Sequence, residues 1–183
     1  MSFTIEQKKA LKAVCDTLIP SIQKENDSDN YWSRQASDLD IAAKFIELVE
    51  ILPQERQDEF HQLLDLLNSR LLGLTWFGPP KPIRHLTIEQ RQKMLQRWAN
   101  SPVAKVRNGF LSIKKLCGFL YFSYAEPNKH NPNWKTIGYP GPIGLPDDVG
   151  DAKILNTLLV RSTTVLHCDT VVIGSGAGGG VVA

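Results

Sequence analysis

Proline and glycine are concentrated between residues 126 and 150, and this concentration limits what the chain can fold into. The stretch contains five prolines and four glycines: Pro127, Pro132, Pro140, Pro142, Pro146, Gly138, Gly141, Gly144 and Gly150. Proline lacks a backbone donor and fixes φ, so a stretch this rich in it forms neither a helix nor a central strand. We therefore expect an ordered, extended connector over residues 126–164, with a helical domain over 1–125 before it and a separate segment over 165–183 after it.

The residues before the connector are predicted to form a bundle of helices. Two capping boxes, Thr4–Gln7 and Thr87–Gln90, place a threonine hydroxyl and a glutamine side chain where they satisfy unpaired backbone N–H groups. Apolar residues recur at helical spacing behind each box and again over residues 102–124. The third predicted helix, which follows Pro53, is apolar over more than one face. We expect that helix to lie at the centre of the bundle.

A glycine-rich motif follows a β-branched run near the end of the sequence. Residues 170–173 read Thr-Val-Val-Ile, which is typical of a buried strand, and they lead into Gly174-Ser175-Gly176-Ala177-Gly178-Gly179. The glycines match G-x-G-x-x-G, in which the backbone approaches a pyrophosphate closely. The predicted fold class is therefore mainly α, ending in the first strand and glycine loop of a truncated Rossmann-type α/β domain. A glycine-rich flexible tail is the alternative.

This predicted dinucleotide-binding segment is incomplete as a folding unit. The acidic residue that binds the ribose hydroxyls is expected ~20 residues beyond the glycines, which lies past Ala183. A single strand also has no partner strand to bond with. We therefore interpret the chain as the amino-terminal piece of a longer enzyme, and we expect the piece alone to be inactive.

Three segments resemble one enzyme family. Residues 131–142 read Asn-Pro-Asn-Trp-Lys-Thr-Ile-Gly-Tyr-Pro-Gly-Pro, and residues 11–20 read Leu-Lys-Ala-Val-Cys-Asp-Thr-Leu-Ile-Pro. Both are similar to segments of the long-chain (fatty) alcohol oxidase branch of the glucose–methanol–choline (GMC) oxidoreductases. The glycine segment, with its extra glycine and the Val-Val-Ala that follows, resembles the FAD-binding start of that family.

The resemblance implies an FAD-dependent oxidation of a long-chain primary alcohol to an aldehyde, with oxygen or another acceptor taking the electrons. It implies FAD contacts for Gly174, Ser175, Gly176, Ala177, Gly178 and Gly179. The catalytic histidine of such enzymes lies near their carboxyl end. The four histidines of this chain, His61, His85, His130 and His167, lie too early for that role, so no catalytic residue is assigned. None of them has a second ligand at metal-binding spacing, so no metal site is predicted.

Charge and hydropathy exclude several classes of partner and location. The formal net charge of +2 and the lack of a basic tract argue against nucleic-acid binding. No apolar stretch reaches ~18 residues, which argues against a spanning helix. Charged residues stand among the first 12 residues, where a secretory signal would need an apolar core. The predicted location is cytoplasmic or peripheral to a membrane. Residues 116–122 are interpreted either as buried in the bundle or as an aromatic surface on a membrane, with Lys114 and Lys115 near the headgroups.

Two other functions stay open. One is a non-enzymatic helical module similar to the small subunit of membrane-bound gluconate dehydrogenases, which lies beside a flavin subunit and would not require the glycine segment. The other is an NAD-linked enzyme that uses the same glycine motif.

Overall fold

The computed structural model describes residues 2–69, 81–125, 130–142, 162–174 and 176–182. The chain divides into two compact units, Met1–Ile143 and Gly144–Ala183. Helices build the first unit: α1 Ile5–Leu18, α2 Ile41–Glu50, α3 Gln54–Asn68, α4 Ile88–Ala99, α5 Ala104–Ser123 and the short α6 Trp134–Ile137. Two 3₁₀ helices, Ala36–Leu39 and Ile83–His85, precede α2 and α4 respectively.

Helix α1 lies at the centre of the first unit, where it packs against α2, α3, α4 and α5. The small side chains of Ala10 and Cys15 let neighbouring helices approach closely. The side chains of Leu11 and Val14 are buried in the contact between α1 and these helices. The prediction that the third helix is central is wrong. In α3, whose residues are all described, Leu64 and Leu67 are the buried side chains. The remaining leucines that suggested a central position lie at 71, 72 and 74, outside the described residues.

The core is continuous across α1 to α5. Phe45 of α2 meets Phe60 of α3 edge to face, with ring centroids 5.4 Å apart. Trp98 of α4 is 1% exposed, and Cys117 of α5 is completely buried. Burial of each large apolar side chain is worth about 1.5–3 kcal/mol, so this shared core stabilises the helices against one another.

Both predicted capping boxes are confirmed. At the start of α1, the Gln7 backbone N–H donates to the Thr4 hydroxyl at 3.2 Å, and the Thr4 N–H donates to the Gln7 side-chain oxygen at 3.0 Å. Thr87 and Gln90 repeat the arrangement at the start of α4, with distances of 3.4 and 3.1 Å. These contacts are local in sequence, which is why the sequence alone predicts them.

The predicted fold class is wrong, because the described residues form helices and no strand. Residues 170–173, predicted as the first strand of a Rossmann-type domain, have no regular secondary structure, and Ile173 is 94% exposed. A β-branched run becomes a strand only where a neighbouring strand pairs with it, and the described part of the chain supplies no such neighbour. In the second unit, the helix α7 Ala177–Val182 follows instead.

None of the helices in the described residues combines the length and the apolar character that a membrane span requires.

Candidate functional site

Side chains of the predicted connector close the carboxyl end of α5. An α-helix leaves its last four carbonyl groups without intrahelical donors. The Asn131 side-chain amide donates to the carbonyls of Tyr121 and Tyr124, each at 2.8 Å. The Asn133 side-chain amide donates to the same Tyr121 carbonyl at 3.0 Å, which is possible because a carbonyl oxygen has two lone pairs. Both asparagines are buried, and they act as side-chain caps of α5.

Trp134 adds a third contact to the end of α5. Its indole N–H donates to the Phe122 carbonyl at 2.6 Å. The Tyr139 ring packs edge-on against the Trp134 ring at 5.2 Å between centroids, and the Tyr139 N–H donates to the Trp134 carbonyl at 2.9 Å. Gly141 has φ +92°, and a Cβ there would lie 3.2 Å from the Trp134 ring, so this position requires glycine. We call Asn131, Asn133, Trp134 and Tyr139 the connector anchor.

Arg34 joins the connector anchor to the loop between α1 and α2. Its guanidinium donates to the Asn133 side-chain oxygen at 2.6 Å and to the Asp29 carbonyl at 2.7 Å. The Tyr121 hydroxyl donates to the Arg34 carbonyl at 2.9 Å, and burial raises the pKa of that phenol, so the hydroxyl keeps its proton. Lys135 and Asp29 form an ion pair at 3.0 Å at the surface of this network. The start of the connector is therefore fixed by contacts with two separate parts of the helical unit.

A partly open cleft of about 290 Å³ lies beside the connector anchor. Lys44 and His130 are among its lining residues. The Lys44 ammonium donates to the Leu39 carbonyl at 2.6 Å and lies 3.9 Å from the centroid of the Tyr124 ring. The lysine that lines the cleft therefore already has protein partners.

The predicted FAD-contacting residues lie in the second unit. Gly174 has φ +108°, a conformation that side chains disfavour, and a Cβ on Gly179 would collide with the Gly174 carbonyl oxygen. Gly176 and Gly178 are exposed, Ala177 begins α7, and Ser175 lies outside the described residues. The structure thus brings Gly174 and Gly179 together and requires glycine at both. Their contact with FAD stays a prediction.

Two of the four histidines in the described residues lie beside aromatic rings. His61 stacks on Phe3 with ring centroids 4.1 Å apart, and its Nδ1 lies 3.1 Å from the Gln7 side-chain oxygen. His130 lies at the surface beside the Trp134 ring. Across the ranges that the structure describes, no three His, Cys, Asp or Glu side chains are grouped so as to hold a metal ion.

Sequence reasoning did not identify the roles of Arg34, Asn131 and Asn133. The role of the two asparagines could have been predicted, because asparagine side chains often bond to backbone groups near helix ends and these two follow a predicted helix. Arg34 gave no such signal, since its partner Asn133 lies 99 positions away in the sequence.

Comparison with known proteins assigns the family of the helical unit. The family model described as "Gluconate 2-dehydrogenase subunit 3" matches residues 5–141. The chain belongs to this family. The match begins where α1 begins and extends through the connector anchor, so it covers the helices and the anchor together.

Curated relatives of this chain include long-chain-alcohol oxidases of Arabidopsis thaliana. The alignment with FAO1 is 34% identical over 128 residues, covering 54% of this chain and 17% of FAO1. The alignment with FAO3 is 25% identical and covers 98% of this chain and 31% of that protein. The alignment with FAO4A is 23% identical and covers 96% of this chain and 33% of that protein. The chain therefore spans a third or less of the length of these relatives. No solved structure matches.

Proposed function

We propose that this chain is the helical accessory part of a flavin-dependent enzyme that oxidises a long-chain primary alcohol to an aldehyde. Its own function is to hold the start of the connector at the end of α5. The observation that carries this proposal is the connector anchor, in which Asn131, Asn133 and Trp134 bond to α5 carbonyls. The names of the curated relatives support the substrate class.

FAD is the proposed cofactor of the alcohol-oxidising part. Bound FAD would accept hydride from the alcohol and pass the electrons to oxygen or another acceptor. In this chain the glycine segment supports the proposal because a Cβ built on Gly174, Gly176 or Gly178 would meet no atom within 4 Å, which leaves room for a pyrophosphate to approach the backbone. Gly176, Gly178 and the backbone of Ser175 and Ala177 complete the proposed contact. We expect the base that accepts the alcohol proton to lie outside this chain, which by itself would be inactive.

A second arrangement is supported by the family description, which names a subunit. In that arrangement the helical module and the flavoprotein are separate polypeptides, and the module acts as a non-enzymatic partner. The two arrangements share the accessory role of Met1–Ile143 and differ in whether the flavin is carried on the same chain.

The proposal is tested on protein isolated from its source under native conditions with an antibody against Met1–Ile143. We expect the isolate to contain flavin, and we expect a long-chain primary alcohol added without oxygen to bleach the flavin absorbance and yield the aldehyde. Gluconate serves as the comparison substrate. An isolate without flavin would contradict the proposal, and bleaching by gluconate alone would contradict the substrate class. Denaturing gel electrophoresis separates the two arrangements: in the first the antibody-reactive chain is itself large enough to include the flavoprotein, and in the second a separate, larger chain accompanies it.

A further inference from the structure

Two buried cysteines face each other across the contact between α1 and α5. Cys15 of α1 is 1% exposed, and Cys117 of α5 is completely buried. The two helices pack directly against each other, and the Cys15 and Cys117 side chains form a hydrogen bond. The two sulfur atoms are therefore neighbours inside the core, although the residues lie far apart in the sequence.

This pair differs from an ordinary buried cysteine. A single buried thiol acts as a small apolar side chain, and alanine could fill much of the same space. Two free thiols in contact on different helices are also the reactants of a disulfide, which requires side chains that point towards each other. The third cysteine, Cys168, is exposed and lies in the second unit. Cys15 and Cys117 are therefore the matched pair of this chain.

We infer that hydrogen peroxide oxidises Cys15 and Cys117 to a disulfide that joins α1 to α5. In the first step the sulfur of one thiol attacks a peroxide oxygen, the O–O bond breaks, and a sulfenic acid and water form. In the second step the sulfur of the other thiol attacks the sulfenic sulfur, the S–O bond breaks, and a second water leaves. Two electrons pass from the sulfurs to the peroxide, and both thiol protons leave in water.

The surroundings of the pair make this reaction slow. Thiolate is the form that attacks peroxide, and the bond to Cys117 and burial together raise the pKa of the Cys15 thiol. Oxidation therefore proceeds through local opening of the helical unit that admits peroxide. The exposed Cys168 thiol is expected to react first.

The disulfide stabilises the helical unit through its place in the fold. It closes a loop of roughly 100 residues, and closing a loop of that length removes much of the freedom of the unfolded chain. Helix α1 packs against α2, α3, α4 and α5, and α5 ends at the connector anchor. One bond thus joins the centre of the unit to the helix that holds the connector. This inference does not depend on the proposed enzymatic function.

Oxidation of the 183-residue chain carrying C168S tests the inference, because this substitution removes disulfides to Cys168. The chain is incubated under native conditions with hydrogen peroxide, and the remaining thiols are then alkylated in urea. We expect mass spectrometry to show the loss of two hydrogens, no alkylation and a cross-linked Cys15–Cys117 peptide after digestion, all reversed by dithiothreitol. The thermal midpoint of the oxidised chain is expected to exceed that of the reduced chain by roughly 5 °C or more.

Matched variants separate the disulfide from other oxidation products. C117A/C168S and C15A/C168S each keep one core thiol, so oxidation should add oxygen to that sulfur and leave the thermal midpoint no higher than before. Circular dichroism establishes that each variant is folded. If an alanine variant does not fold, the mass and the digest of the C168S chain decide the outcome without it.

Three outcomes would overturn the inference. One is full alkylation of both core thiols after a peroxide treatment that oxidises the same chain in urea. Another is a disulfide found between two chains and not within one, seen as a dimer on a non-reducing gel. The third is an intramolecular disulfide that lowers the thermal midpoint, which would show that the native pair is not positioned for the bond.

Discussion

Asn133 shows how one side chain joins distant parts of this chain. It is completely buried, accepts from Arg34 and donates to the Tyr121 carbonyl. Its backbone N–H donates to the Asn131 side-chain oxygen at 2.8 Å, so the two asparagines also hold each other. Removal of a buried partner leaves the remaining groups desolvated without a hydrogen bond, which costs more than the net value of the bond itself.

Asn133→Ala is expected to lower the free energy of unfolding by about 1–3 kcal/mol, because the Tyr121 carbonyl and the Arg34 guanidinium each lose a partner. Urea denaturation followed by circular dichroism measures the change. Asn108→Ala is the control, since Asn108 is exposed on α5, and a change within about 0.5 kcal/mol is expected there. Equal effects of the two substitutions would contradict the assigned role of Asn133.

The Cys15 thiol is held protonated by its surroundings. A hydrogen bond with Cys117 and burial between α1 and α5 together raise its pKa well above the ordinary value of 9.0. The unfolded thiol therefore releases its proton at a lower pH than the folded one. The folded state therefore holds its proton at pH values where the unfolded state has lost it. This contribution to stability is complete at neutral pH and is lost as the pH rises above the pKa of the unfolded thiol towards the raised pKa of the folded one.

The free energy of unfolding is accordingly expected to fall between neutral pH and about pH 10, and to fall less in Cys15→Ala than in the unmodified chain. Urea denaturation at several pH values gives both slopes. Cys168→Ala is the matched control, because Cys168 is exposed and should leave the slope unchanged. Identical slopes in all three proteins would contradict the description of the Cys15 site.

At the scale of elements, the two capping boxes have the same sequence and different surroundings. Gln90 is exposed and caps α4. Gln7 is 3% exposed, and besides capping α1 it donates to the Asp65 carboxylate of α3 at 2.8 Å. The α1 cap is therefore also a contact between two helices.

Gln7→Ala is expected to cost about 1–3 kcal/mol of stability, because it breaks both the cap and the contact with α3. Gln90→Ala should cost about 0.5 kcal/mol or less, as for other exposed sites. Thermal unfolding of the two variants gives the comparison directly. A loss of stability in Gln90→Ala as large as that in Gln7→Ala would contradict the importance assigned to the contact with α3.

What could be predicted at this scale follows from the range of the interactions. The capping boxes at Thr4 and Thr87 were predictable because all their contacts lie within three residues. The central position of α1 was not, since it depends on which helices pack together. The predicted strand at 170–173 failed for the same reason, because β-propensity acts only where another strand is available. The capping role of Asn131 and Asn133 could be predicted in part, whereas the bond between Asn133 and Arg34 could not.

At the scale of the whole molecule, the connector anchor belongs to the helical unit. The compact unit runs from Met1 to Ile143, whereas composition alone predicted that the helical domain ends at residue 125. Buried Asn131, Asn133 and Trp134 lie between these two limits. A comparison of chains ending at the two positions therefore tests what the anchor contributes.

A chain of residues 1–143 is expected to unfold within a few degrees of the full chain. A chain of residues 1–125 should unfold roughly 5–10 °C lower, because α5 loses its side-chain caps and the Trp134 contact. Thermal unfolding followed by circular dichroism makes the comparison. Equal midpoints for the two truncated chains would place the stable boundary at 125 and leave the anchor without a structural role.

The proposed function rests on the claim that the connector is held at the end of α5, and backbone hydrogen exchange tests it most directly. The amides of Asn133, Trp134 and Tyr139 donate to acceptors within the anchor. We predict that these amides exchange slowly in the 183-residue chain and rapidly in N131A/N133A, while the amides of α1 stay protected in both. Rapid exchange of residues 133–139 in the unmodified chain, with α1 protected, would contradict the account.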